Sequence, residues 1–285
     1  MQAEHAQQKI RLNGAAFSQW MLLSFLCLSV TASPMGAKES FNRLGIAFVD
    51  SLEPQVHYHF SSSDSSQPFK LHQRLSFDQP CELSTGLQGH LFLKFSNHVS
   101  FGMMENTRFS IEHFKQESFK DLAIFTLREP SKSSFKAYLK EGTILIKTNK
   151  FSALSTFQIE FPMGILEFYS AECVIEYRYN IIKIALYRGN ISLTPKAEQA
   201  ERRYLSAPSY FTSDHYDLKE GVISPKLSIN KAPLQWADYP QFIRTVDQRI
   251  QFFPLPEGSE NLAEAKILIE KTRFEPSKSK QIKQP

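Results

Sequence analysis

The sequence lacks a nucleophile elbow, a Walker phosphate loop and a dinucleotide-binding glycine pattern. Those motifs carry nucleophilic, nucleotide and hydride chemistry in many enzymes, so no activity is written in motif form. Cysteine is scarce: only Cys27, Cys81 and Cys173. Charge of one sign is also missing. The formal net charge is +4, and Lys and Arg are dispersed along the chain. A nucleic-acid footprint needs a basic stripe, so none is indicated; mild basicity favours at most weak contact with an anionic envelope surface. Long apolar runs are absent too. Trp20–Val30 is short of the ~20 apolar residues that a spanning helix needs. No exact repeat recurs at a fixed period, which leaves a solenoid only in an irregular form.

What is present suits a β-protein. The chain has 285 residues, enough for one large domain or two small ones. It is 42% hydrophobic and 13% aromatic, with 24 Phe. Aromatic residues favour pleated, half-buried faces.

Residues 1–16 are polar and include Lys9 and Arg11. The apolar run Trp20–Val30 follows, then Thr31, Ala32, Ser33, Gly36 and Ala37. This order is that of a secretory signal peptide. Residues 1–32 are assigned to it, with cleavage after Ala32; cleavage after Ala37 and an uncleaved anchor are the alternatives. Phe25 and Leu26 are too bulky for lipid attachment at Cys27. Export removes Cys27 and leaves Cys81 and Cys173, either as buried free thiols or as one disulfide.

Residues 41–194 read as closely spaced strands. Val56–Phe60, Phe69–Phe77 with Leu71 and Leu75 in register, His90–Phe95, Val99–Met103, Phe109–Ile111 and 121–128 are strand-like. Ser96–His98 and Glu105–Thr107 are turns. Tyr138–Leu193 has the clearest period-two pattern. Phe157, Ile159 and Phe161 form one face. Cys173, Ile175, Tyr177 and Tyr179 form another, although Val174 breaks its polar side. Ile182, Ile184 and Leu186 form a third. Gly142, Pro162–Gly164 and Arg188–Asn190 punctuate the run as turns, and a positive φ is expected at Gly164. Residues 195–274 are a proline-rich extension, either wrapping the domain or forming a small module. Val222–Ile229 and Thr245–Phe253 are strand-like within it, and the spacing through Ala197, Ala200 and Tyr204 allows a brief helix. Asn261–Phe274 has Leu262, Ala265, Leu268 and Ile269 at helical spacing. Residues 275–285 are expected to be disordered.

Candidate chemistry is sparse. His57 and His59 share a strand face, with His72 nearby in sequence, but no carboxylate or cysteine set completes a metal site. Asp50, Glu53, Asp64 and Asp78 are the carboxylates from which a catalytic pair would have to come, and solvated acids are the plainer expectation. The aromatic stretch Phe151–Tyr187 offers surfaces for sugars or bases, though its alternation suits core packing. Asn190-x-Ser192 is a glycosylation sequon, relevant only in a eukaryotic secretory path. No catalytic, cofactor-binding or metal-binding residue is assigned, and no cofactor is expected.

Leu83-Ser84-Thr85-Gly86, then Leu91–Asn97 and Glu105–Ile111, resemble the opening of a bacterial FecR-type domain. Tyr138–Ile146 is similar to its glycine-centred strand element. Phe157–Leu166 is similar to its strand, Thr-Pro-x-Gly, strand element, and Tyr187–Leu193 to its closing turn and strand. The sequence differs at His98, at Tyr169-Ser170-Ala171 and at Phe161. The resemblance implies an all-β FecR-like fold, a β-sandwich or irregular β-solenoid of short antiparallel strands. It also implies an extracytoplasmic place. Regulatory members carry a cytosolic anti-sigma segment and a membrane span before this domain, where here a signal peptide stands. The expectation is therefore a periplasmic or secreted, non-enzymatic binding or scaffolding protein of the bacterial envelope. Its partner would be an envelope protein at a strand edge, or a glycan, and not nucleic acid. The alternatives are a membrane-anchored FecR-type sensor facing the periplasm, and a secreted carbohydrate-active enzyme on a β scaffold.

Overall fold

Period-two alternation becomes strand pairing in the computed structural model, whose described residues are 43–63, 65–119, 128–197, 201–213, 227–254 and 263–268. A 15-stranded sheet contains β1 (Arg43–Leu44), β2 (Ile46–Leu52), β3 (Val56–Phe60), β4 (Gln67–Pro68), β5 (Arg74–Ser76), β6 (Cys81–Thr85), β7 (Leu91–Phe95), β8 (Ser100–Met103), β9 (Arg108–Gln116), β10 (Ser133–Lys147), β11 (Thr156–Phe161), β12 (Gly164–Arg178), β13 (Ile181–Pro195), β14 (Arg203–Ser206) and β15 (Ser209–Ser213). β16 (Ile250–Pro254) and β17 (Ala263–Ile267) form a separate antiparallel ladder. The one α-helix among the described residues is α1 (Tyr239–Arg249).

Strands β10, β12 and β13 are 15 residues each and run through both layers. The first half of β10 pairs with β9 and, in parallel, with β11; its second half pairs with β8 and β12. One layer thus runs β4-β3-β6-β9-β10-β11-β12-β13-β14, and the other β5-β2-β7-β8-β10-β12-β13-β15. Phenylalanines join the inner faces. Phe95 of β7 meets Phe114 of β9 at 5.6 Å and Phe135 of β10 at 5.3 Å between ring centroids. Phe101 of β8 meets Phe109 of β9 at 4.7 Å. The fold is all-β, built on one large mixed sheet in which β10–β11 is a parallel ladder among antiparallel ones.

Two expected turn glycines lie inside long strands. Gly142 (φ 109°) and Gly189 (φ 80°) adopt the left-handed backbone next to register shifts in β10 and along β12–β13. Glycine in such places marks a bulge that bends the strand. Gly164 does open a hairpin, but it is not among the positive-φ glycines. Its constraint is space: a Cβ there would stand 2.8 Å from Phe161 Cζ and 2.9 Å from the Thr194 carbonyl oxygen. The β12–β13 turn is Tyr179–Asn180, with φ 53° and 60°, the two-residue type I′ geometry. Tyr179 is 92% exposed at its tip and does not extend the core face of Cys173, Ile175 and Tyr177.

The outer face of the second layer is apolar as well. Phe92, Leu145, Val174, Ala185 and Tyr210 meet Trp236, Ile243 and Val246 there. Val174 interrupts a polar face because that face is covered. Of the strand expected over Thr245–Phe253, the part up to Arg249 belongs to the covering helix α1 and the part from Ile250 is strand β16. Pro240 sits in the first turn of α1, where its missing N–H costs nothing. Trp236, Ile243, Val246 and Ile250 recur at helical spacing and are buried.

Other expectations shift. The strand expected at 69–77 shrinks to β5, and Leu71 is exposed beside His72 in a turn. Tyr204 lies on β14, not on a helix, and Ala263–Ile267 is strand β17 rather than helix. The signal segment with Cys27, Asp64, residues 121–127 and 222–226, and the tail 275–285 lie outside the described residues.

Candidate functional site

The residues singled out in the sequence are not brought together. His57 and His59 are half-buried on β3, and His59 Nε2 lies 2.5 Å from the Ser63 carbonyl oxygen. His72 stacks on Phe48 at 5.7 Å instead. No group of three or more His, Cys, Asp or Glu residues gathers in metal-binding geometry among the described residues. Cys81 and Cys173 are buried free thiols with no disulfide between them. Burial pushes the Cys81 thiol up to about 12 and raises Cys173 as well, so neither is a thiolate nucleophile near neutral pH. Asp50 is not paired with another acid. It is buried against Arg249 at 3.2 Å.

The strongest charge cluster lies under α1. Asp247 falls one turn beyond Ile243, inside the helix's apolar stripe. It accepts from Lys94 Nζ at 2.5 Å and from Ser100 Oγ at 3.1 Å, and it pairs with Lys147. Lys94 also donates to the His98 carbonyl oxygen and to Ser100 Oγ, both at 3.0 Å. Burial would raise the Asp247 carboxyl, but Lys94 and Lys147 outweigh it and hold the group at about 2. Arg244 pairs with Glu172 of β12, and Arg249 with Asp50 of β2. Every charge the helix turns inward therefore finds an opposite one on the sheet. These pairings place the helix's inward charges opposite those of β2, β7, β10 and β12.

A second arrangement is open to ligands. A cleft of about 460 Å³ is lined by Glu117, Arg128, Glu129, Lys132, Lys150 and Phe151, with Pro130, Ser131, Ser152 and Ala153. It lies between residues 128–132, just before β10, and the turn from β10 to β11. Glu129 ties those two segments together. Its carboxylate accepts from Ser155 Oγ at 2.5 Å, from the Ser152 N–H at 3.1 Å and from Ser133 Oγ. Its own N–H donates to the Lys150 carbonyl oxygen at 3.1 Å. Burial pushes the Glu129 carboxyl up to about 7 despite these hydrogen bonds. The sequence offered one hint, the serines at 131, 133, 134, 152 and 155, but a serine-rich loop is also the plainest of loops.

The third arrangement is the outer side of β14. The Ala207 N–H donates to the Gly189 carbonyl oxygen at 3.0 Å, and Leu205 lies opposite Ile191. By antiparallel alternation, Arg203 and Leu205 turn their peptide groups toward β13, and Tyr204 and Ser206 turn theirs away. No described strand pairs with that side. Tyr204 is 64% exposed, and its ring lies 6.1 Å from Tyr169 across the surface. Arg202 beside it holds Glu167 at 2.8 Å.

Neither a protein-family model nor a curated protein matches the chain. Among solved structures, two crystal structures described as a "putative anti-sigma factor" from Parabacteroides distasonis are similar to it. One shares 8% identity at a TM-score of 0.40, covering 55% of this chain and 64% of its own. The other shares 9% at 0.38, covering 54% and 63%. The chain thus spans less than two thirds of each of these two structures. No helix among the described residues is long and apolar enough to cross a membrane.

Proposed function

We propose that this chain is an exported, non-enzymatic FecR-like β-domain of the bacterial envelope that binds an extended segment of a protein partner along β14. The observation that carries the reading is the outer side of β14. Its Tyr204 and Ser206 peptide groups point away from β13, and no described strand meets them. Strand addition needs only such a ladder plus side-chain pockets at alternate positions. Tyr204 and Tyr169 give the added strand an aromatic surface beside it. The envelope location is supported by the order of Lys9, Arg11, Trp20–Val30 and Ala32.

A photo-crosslinking amino acid at position 204 tests the edge in cells producing the full chain. A discrete envelope-protein adduct is expected from 204 and not from the exposed turn position 179. Ser206→Pro removes an outward N–H and should abolish the adduct without lowering the thermal midpoint. Equal adducts from both positions, or an adduct indifferent to Ser206→Pro, reject the edge. Mass spectrometry of the N-terminus tests export. A start at Ser33 or Lys38 in the soluble envelope fraction is expected, and an intact Met1 in the membrane fraction favours the anchored sensor.

A further inference from the structure

We infer that the cleft around Lys150 and Phe151 binds a small organic anion, a sugar ring bearing a carboxylate or phosphate. The site is separate from the β14 edge. At about 460 Å³ it falls within the ~300–1,000 Å³ typical of small-molecule sites. Among the described residues it is lined by the cations Arg128, Lys132 and Lys150 and by the acids Glu117 and Glu129. Both acids are already engaged. Glu117 pairs with Lys132 at 3.5 Å, and Glu129 accepts from Ser133, Ser155 and the Ser152 N–H. Lys150 is exposed and takes part in no ion pair among the described residues. An anion therefore finds a cation without displacing a carboxylate.

The aromatic wall argues for a ring. Phe151 is stacked on Phe157 at 5.5 Å and 16° between planes, which fixes its orientation. The wall carries both apolar and polar groups, the combination that the C–H face and hydroxyls of a sugar use. The walls are also held in place before binding. Ser131 Oγ donates to the Glu117 carbonyl oxygen at 2.8 Å, and Gln116 donates to Ser131 at 2.9 Å. Preorganisation of this kind lowers the entropy lost on binding.

Glu129 makes the site sensitive to pH. Among the described residues the charged groups around it are Glu117, Arg128, Lys132 and Lys150, and the hydroxyls are those of Ser133 and Ser155. Its carboxyl is pushed up to about 7. Below that pH the Glu129 carboxyl is neutral, and above it the cleft gains one more negative charge. Anion affinity should fall as pH rises through neutrality.

The test is calorimetric or NMR titration of the whole chain with glucuronate, glucose 6-phosphate, glucose and inorganic phosphate. Binding of one or both sugar anions is expected, with neither glucose nor phosphate alone matching it; which sugar anion binds better separates carboxylate from phosphate recognition. Lys150→Glu should weaken binding about tenfold or more, as loss of one charge-assisted hydrogen bond does, while leaving the thermal midpoint unchanged. Glucuronate keeps one charge from pH 6 to 8, so its affinity should fall several-fold over that range, and Glu129→Gln should remove the trend. No binding of either sugar anion at millimolar concentration, equal binding of glucose, or an unchanged affinity in Lys150→Glu overturns the site. A pH-independent affinity in the native chain overturns the role of Glu129.

Discussion

Asp247 shows how much can rest on one side chain. It is the shared acceptor for Lys94, Lys147 and Ser100, and Lys94 is only 3% exposed. Asp247→Ala leaves Lys94 buried without its counter-ion. Losing one partner of a buried pair costs about 3–5 kcal/mol, and urea unfolding should read a loss of that order. Lys94→Met combined with Asp247→Leu should cost less than Asp247→Ala alone, because only Lys147, which is 19% exposed and can reach water, then loses its counter-ion. A loss below about 1 kcal/mol for the single variant would mean that water already serves Lys94. Gly189 sets a backbone limit instead. A Cβ there would stand 1.8 Å from the Ser170 carbonyl oxygen at φ 80°, so Gly189→Ala should cost at least the ~1–3 kcal/mol of a strained φ. Gly164→Ala, in ordinary backbone with its nearest neighbour at 2.8 Å, should cost less. Thermal melts of the two variants side by side read the order.

At the scale of elements, the long hairpin β12–β13 gives a turn prediction. Tyr179 holds φ 53° in the type I′ turn and is 92% exposed. Tyr179→Asn keeps the Tyr177–Asn180 hydrogen bond at 3.0 Å and relieves left-handed strain. It should raise stability by about 0.5–1 kcal/mol, and an unchanged denaturation midpoint would refute the turn strain. Much of the sheet was legible because alternation over Phe157–Phe161 and Ile182–Leu186 is set by burial of one face. Its long strands were not, because the glycines that end strands elsewhere, Gly142 and Gly189, here bend them. Helix α1 hid behind proline density. Proline rules apply to helix interiors, and Pro240 stands in the first turn. Val174 breaks a polar face in the sequence, and the structure shows why: it and Leu145 pack under Trp236, Ile243 and Val246. The cleft was not legible, since Glu117, residues 128–132 and residues 150–153 are brought together by the pairing of β9 with β10 and by the turn after β10.

For the whole molecule, buried titratable groups pull stability in opposite directions over the same pH range. Glu129 rises from an ordinary 4.5 to about 7 on folding, through burial. Its contribution is complete below 4.5 and is lost as pH rises through about 7. His98 falls from an ordinary 6.5 to about 4, through burial first and then Lys94. Its contribution is complete above 6.5 and is lost as pH falls through about 4. Each limb is worth up to about 3 kcal/mol, less what retained water contact removes. Asp50, raised by burial, adds to the limb that falls with pH, and His90 and His113, lowered by burial, add to the limb that rises. Between pH 5 and 6.5 the two limbs should nearly cancel, so the native chain should show a flat stability profile there. Removing one partner should expose the other. Glu129→Gln should make stability climb with pH across that interval. His98→Asn, which tolerates the left-handed φ of 66°, should make it fall. Urea unfolding at pH 5, 6 and 7 reads all three profiles. Parallel profiles for the native chain and both variants would show that neither group titrates differently in the folded and unfolded chain, whereas opposite slopes would show that the plateau is a balance between the cleft carboxylate and the imidazole at the β7–β8 turn.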